Sequence, residues 1–176
     1  AAANGAGKQL HAANWKKTFF DNAAGGADLR RTVPMSKFFD LVPERTHDVV
    51  RQPSVAFDRG FDRGDGRWLL AVASHDSKFV DNGIGGRVLL AASMASDPLG
   101  IWRIISITLS PLCEVPQYAE PDMLALSYSR WGIYVSMVLR CHDRTTGAVK
   151  SEPRILAIDK VGRGGGGARG GNAKKK

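Results

Sequence analysis

The sequence predicts an all-β protein of antiparallel sheets, with short strands following one another as a meander. Three observations predict it. Apolar runs rich in Val, Ile, Leu, Phe and Trp are short, and Gly, Asp and Pro break them roughly every 8–15 residues. No window keeps a helical apolar period for about 12 residues. One unit recurs: His75-Asp76 and His142-Asp143 lie 67 residues apart, and each follows an apolar strand. Each is also followed, twelve residues after the His, by Arg87 or Arg154 and an apolar run. Sheet units repeated at a fixed spacing are the mark of propellers and solenoids.

Nine strands are expected. Trp15–Phe20 and Leu29–Met35 come first, separated by the turn residues Asp21-Asn22-Ala23-Ala24-Gly25-Gly26. Pro53–Asp58 and Arg67–Ser74 flank Arg63-Gly64-Asp65-Gly66, whose glycines tolerate positive φ. Arg87–Ser93 and Trp102–Leu109 flank Asp97-Pro98-Leu99-Gly100, where Pro presets φ and Gly suits a left-handed position. Asp122–Tyr128, Gly132–Arg140 and Arg154–Asp159 close the series, with Thr145-Thr146-Gly147 as the last turn. Gly83-Ile84-Gly85-Gly86 precedes a strand rather than a helix, so it lacks the helix N-terminus that holds phosphate.

The chain of 176 residues carries a net charge of +8, and its two ends differ from its body. Residues 161–176 hold Arg163, Arg169, Lys174, Lys175 and Lys176 and no acid, which leaves the body only mildly basic. A Gly-rich stretch without bulky apolar side chains is expected to be a disordered tail. Such a tail can touch phosphates without sequence preference. Residues 1–14 are Ala/Gly/Asn-rich and are expected to be a flexible segment without a secretory signal. Residues 15–160 form the folded body. No apolar run approaches the ~20 residues of a membrane-spanning helix.

The strand motifs resemble a group of bacterial-type β-propeller proteins, mostly secreted or on the cell surface and largely without assigned activity. Their blade pattern is an apolar strand ending in Tyr/Phe-Asp, a Gly-Arg-Trp turn, and a third strand ending in Ser-x-x-Ser-Asp-Pro-x-Gly, with a Trp opening the fourth. Here Val55-Ala56-Phe57-Asp58, Gly66-Arg67-Trp68 and Val88 to Trp102 match it, with Arg59–Arg63 inserted in the first turn. Asp122–Ser127 leading to Tyr134-Val135-Ser136 is similar to the start of the next blade, without its usual Pro and Gly. The resemblance implies four-stranded antiparallel blades and an extracellular or cell-surface setting. Nine strands make an arc of two to three blades, whereas a closed propeller needs at least about sixteen. The expectation is an incomplete β-propeller, finished by a missing segment or another chain, and poorly behaved alone because its edges are open. Trp68 and Trp102 are expected in the packing rather than as ligand platforms.

Alternating loops in such blades would gather His75, Asp76, Lys78 and Asp81 on one rim with His142, Asp143 and Arg144. The loop bearing Cys113 and Glu114 joins them. The rim residues His75, Asp76, Asp81, Glu114, His142 and Asp143 are the candidates for ligand or cation binding, against the plainer reading of a repeated turn signature. Cys113 and Cys141 flank an antiparallel strand pair, where either a disulfide or two separate small core residues fits. Asp58, Asp62 and Asp65 beside Gly66 faintly resemble a calcium loop, without the alternating spacing of an EF-hand. No other cofactor is expected, and no nucleophile elbow, phosphate loop, zinc signature or dinucleotide fingerprint is present. The leading functional expectation is a non-catalytic segment binding a protein or glycan partner within a larger assembly. The alternatives are a hydrolytic propeller using Asp76, Glu114 and Asp143, and RNA binding through the tail cations.

Overall fold

The structure is a computed structural model. It describes residues 2–5, 8–13, 16–21, 28–39, 48–59, 66–76, 85–113, 118–143 and 145–160. These residues form three antiparallel sheets, each a meander in chain order. The first contains β1 (Ala2–Gly5), β2 (Lys8–Ala13), β3 (Lys16–Asp21) and β4 (Asp28–Pro34), and a single helical turn, α1 (Met35–Phe38), follows it. The second contains β5 (Asp48–Asp58), β6 (Arg67–Asp76), β7 (Arg87–Ser93) and β8 (Trp102–Thr108). The third contains β9 (Tyr118–Tyr128), β10 (Gly132–His142) and β11 (Val149–Asp159). Among the described residues no helix is long and apolar enough to cross a membrane.

All nine expected strands are present, Arg87–Ser93 to the residue. Within residues 1–14, β1 and β2 complete a four-stranded first sheet. Their sequences, Ala-Ala-Asn-Gly and Lys-Gln-Leu-His-Ala-Ala, contain one large apolar residue and no β-branched one. Pairing with β3, not intrinsic propensity, must therefore hold β2. Strands β5, β9 and β11 also begin four or five residues earlier than expected, because ladder pairing continues past the apolar runs.

Burial distinguishes the sheets. In the second, the central strands β6 and β7 are covered on both faces, while the edge strand β8 is largely exposed. Leu70, Val72, Leu89 and Ala91 pack with Met35 and Phe39 around α1 and with Val50. The alternate residues Leu69, Ala71, Val88 and Leu90 pack against Ile133, Val135, Met137 and Leu139 of β10. A strand buried on both sides needs a continuous apolar run, and Val88-Leu89-Leu90-Ala91 supplies it. The third sheet is covered on one face only. Along β10 the odd-numbered residues from Ile133 to Cys141 are buried, while Ser136 and Arg140 are exposed.

The middle and last sheets also share an irregularity. In β5, Gln52 and Pro53 together face Val72; in β9, Met123 and Leu124 together face Met137. These are β-bulges, and each holds a non-glycine residue at positive φ, Gln52 at 51° and Met123 at 52°. The two bulged strands are stitched together: Gln52 Nε2 donates to Asp122 Oδ1, and Leu126 N donates to Ser54 Oγ at 3.0 Å. The twelve-residue spacing from His to Arg in the two copies does not mark equivalent positions. Arg87 opens β7 and pairs with Ser74, whereas Arg154 lies in mid-strand opposite Met137. A long connection separates His75 from Arg87, and a tight turn followed by half a strand separates His142 from Arg154.

The link between the second and third sheets is close and crosslinked. Gly86 N donates to Ala119 O, and Leu109 N donates to Gly86 O at 3.1 Å. A Cβ on Gly86 would lie 2.6 Å from Ala119 O, so the Gly85-Gly86 pair is explained by backbone approach rather than by phosphate. After a 3-10 turn at Ser110–Leu112, Cys113 is disulfide-bonded to Cys141 of β10, with Sγ–Sγ 1.98 Å. Their separation of 28 residues sets the closed loop. Chain-entropy arithmetic gives about 3.5 kcal/mol for a loop of this size. Cys141→Ser should therefore lower the urea midpoint by the equivalent of about 3.5 kcal/mol, and reductant should produce a similar loss in the parent chain.

Candidate functional site

The sheet end that carries the expected rim is built by the close of β6, the close of β10 and the start of β9. His75 and Asp76 are the last residues of β6, with backbones paired to Val49 and Asp48; their side chains lie outside the described residues. Lys78, Asp81, Glu114 and Arg144 also lie outside them. His142 and Asp143 are described, and they part company.

Asp143 is spent on its own turn. Its Oδ1 accepts from Thr145 N at 2.8 Å and Thr146 N at 3.3 Å, and its Oδ2 accepts from Thr146 Oγ1 at 2.8 Å. Gly147 at φ 72° finishes the turn. This is the Asx-turn chemistry that makes Asp frequent in turns. The Thr146 hydroxyl first, and then the two amides, hold the carboxyl below its ordinary range. A depressed carboxyl stabilises the fold above its unfolded value and stops doing so as pH falls through its folded value. Asp143→Ala should therefore destabilise the chain at neutral pH, and the gap from the parent should close below about pH 4. Thermal unfolding across a pH series measures both.

His142 joins a polar string absent from the sequence expectations. Its Nε2 is 3.4 Å from Glu120 Oε2, and Glu120 Oε1 is 3.4 Å from an Arg51 guanidinium nitrogen. The Tyr118 ring stands edge-on to the imidazole, with centroids 5.5 Å apart. Beside this string Asp122 bridges Gln52 and Arg140. The Gln52 hydrogen bond, with help from the Met123 amide and the Arg140 and Arg51 charges, holds the Asp122 carboxyl below its usual value. A carboxylate held in that state is a poor proton donor. The ladder register explains the string, since Glu120 faces Arg140 and Tyr118 faces His142 across β9 and β10. Arg51 and Gln52 come from another sheet, so spacing along the chain carried no signal for them.

The opposite end is formed by the turns after β5, β7 and β9. Lys160 Nζ, just past β11, is 2.5 Å from Asp58 Oδ2 at the end of β5, which places these turns at one end. Asp58 is fully buried, and Arg67 Nε is 3.6 Å from the same oxygen. Two cations engage the carboxylate that the calcium expectation invoked, and Asp62 and Asp65 lie outside the described residues. No cluster of three or more candidate metal ligands occurs among the described residues.

The Ser93–Trp102 segment is an interlocked turn. Ser93 Oγ accepts from Trp68 N at 2.8 Å and donates to Ala95 O at 2.6 Å. The indole nitrogens of Trp68 and Trp102 donate to Ser96 O and Pro98 O at 2.8 and 3.0 Å. Asp97 Oδ1 accepts from Leu99 N at 3.1 Å. Both indoles are thus committed to turn and core. One expectation is corrected: Gly100 is not among the described glycines at positive φ, which are Gly66 and Gly147. A Cβ at position 100 would meet Asp97 O at 3.3 Å, so closeness explains the glycine.

No known family model matches the chain, and no curated protein matches it.

Proposed function

We propose that the chain is a set of β-propeller blades without catalytic activity, acting as a binding and structural module in a larger extracellular assembly. The observation that carries this reading is the contrast between the middle and last sheets. In the middle sheet β6 and β7 are covered on both faces, and β8 caps β7. The last sheet has three strands and one uncovered face, with Ile155 70% and Val149 52% exposed on it. A protein partner covering that face would give it the environment the middle sheet has. The adjacency of the first strands, β1 against β5 and β5 against β9, supports the blade reading. The disulfide favours an oxidising compartment. The carboxylates Asp122 and Asp143 are engaged as described, which supports holding rather than hydrolysis.

The uncovered sheet is not undefended. Pro153 interrupts donation in the middle of β11, and Glu152 bridges Lys150 and Arg154 along one face of that strand. Small-angle scattering of the whole chain tests the blade reading: a curved arc is expected, and a compact sandwich or barrel overturns it. Turnover of a glycoside panel that is lost in Asp143→Ala would overturn the non-catalytic reading.

A further inference from the structure

We infer that β8 pairs with β8 of a second copy of the chain, antiparallel about a two-fold axis at Ile105, so that two middle sheets join into one. This inference does not depend on the blade reading. Strand β8 reads Trp-Arg-Ile-Ile-Ser-Ile-Thr. It is rich in Ile, has a single charge and no Pro, and so has the composition of an interior strand. Its place is the opposite. Among the described residues β7 is its one ladder partner, and both of its faces are open, with Ile104 39% and Ile105 44% exposed. Ile101, just before it, is 79% exposed.

The bonds at its two ends fix which backbone groups face outward. Met94 N donates to Ile101 O at 2.9 Å, Leu109 N donates to Gly86 O at 3.1 Å, and the β7–β8 register is unbroken between them. Alternate residues of an antiparallel strand bond to the same neighbour, so the odd-numbered residues face β7. Ile104, Ser106 and Thr108 therefore turn N–H and C=O to the open edge. The last strands of the other two sheets are guarded. On β11, Lys160 N donates to Trp131 O and Asp143 N donates to Ala148 O, so the even-numbered residues face β10 and Pro153 leaves a gap in the outward donors. Glu152 also bridges Lys150 and Arg154 along that strand. Strand β4 carries Asp28, Arg30 and Arg31.

This contrast selects the occupant. Pairing β8 with β11 of another copy would meet the Pro153 gap and would propagate without closing, whereas β8 on β8 closes after two copies. A charged foreign strand would want a row of opposite charge, and β8 offers Arg103 alone. Centred on Ile105, the pairing sets Trp102 against Thr108 and Ile104 against Ser106 as hydrogen-bonded pairs, Arg103 against Ile107, and Ile105 against its own copy. The two Arg103 side chains then start four residues apart along the ribbon, about 13 Å, where salt largely screens them.

Sedimentation velocity of the whole chain from about 1 to 100 µM tests the inference, and a monomer–dimer equilibrium with no larger species is expected. Ile105→Lys sets two like charges face to face at the axis and should weaken association at least about ten-fold. Ser106→Pro removes an outward N–H that β7 does not use and should weaken it as well. Ile155→Lys, on β11, should leave it unchanged. Ile105→Cys places two thiols in a non-hydrogen-bonded pair with Cα atoms about 4.5 Å apart, within disulfide reach, so oxidation should give a dimer that thiol reverses. Arg103→Cys should give none. This cysteine pair carries the test if Ile105→Lys fails to fold. A chain that stays monomeric throughout overturns the inference and leaves the edge to a foreign strand. A dimer that Ile105→Lys and Ser106→Pro both leave intact also overturns it, as do species larger than a dimer or crosslinking at position 103 and not at 105.

Discussion

Trp68→Ala is expected to cost about 3–5 kcal/mol of unfolding free energy, the range for emptying a large aromatic site. Trp68 has no solvent exposure. Its ring meets Phe57 edge-on, with centroids 4.8 Å apart, and its indole N–H holds Ser96 O. Substitution leaves a cavity and a carbonyl without its donor, and it loosens the Ser93–Trp102 turn that the indole ties down. Trp68→Phe fills most of the space and lacks the N–H, so its smaller loss isolates the packing share. Urea unfolding followed by far-ultraviolet circular dichroism measures both. A loss under about 1 kcal/mol for Trp68→Ala would mean that the turn end is not packed as described.

Asp58→Asn is expected to be comparably damaging, about 3–5 kcal/mol, because it leaves two desolvated cations without their counter-charge. The Lys160 and Arg67 side chains are only 7% and 13% exposed. Burial already pulls the Arg67 guanidinium below its ordinary value, with the Asp58 charge opposing that pull. Removing Asp58 leaves burial unopposed. Lys160→Met in the Asp58→Asn background should recover part of the loss, since it removes a stranded charge as well as a contact. A double-mutant cycle in which the two losses simply add would show that Asp58 and Lys160 are not coupled.

Much of this architecture was legible in the sequence. Runs such as Val88-Leu89-Leu90-Ala91 admit little but a strand buried on both sides, and Gly66 and Gly147 announced the positive φ their turns use. The legible features were local, fixed by residues within one strand and one turn. What escaped was set by pairing. β2 is held by its neighbours, and its Lys-Gln-Leu-His-Ala-Ala carries almost no propensity of its own. The Arg51–Glu120–His142 string depends on two sheets meeting, which no spacing rule encodes. The twelve-residue recurrence misled for the same reason: equal spacing along the chain spanned unequal loops, so it aligned Arg87 with a residue that faces a different register.

The bond between Cys113 and Cys141 has a further result wherever the molecule meets a peptidase. A peptidase cutting anywhere between these residues, for example in the stretch leading into β9, would break the backbone and leave both halves joined through sulfur. Such a nicked molecule would migrate intact on a denaturing gel until thiol was added, and would then fall into two pieces.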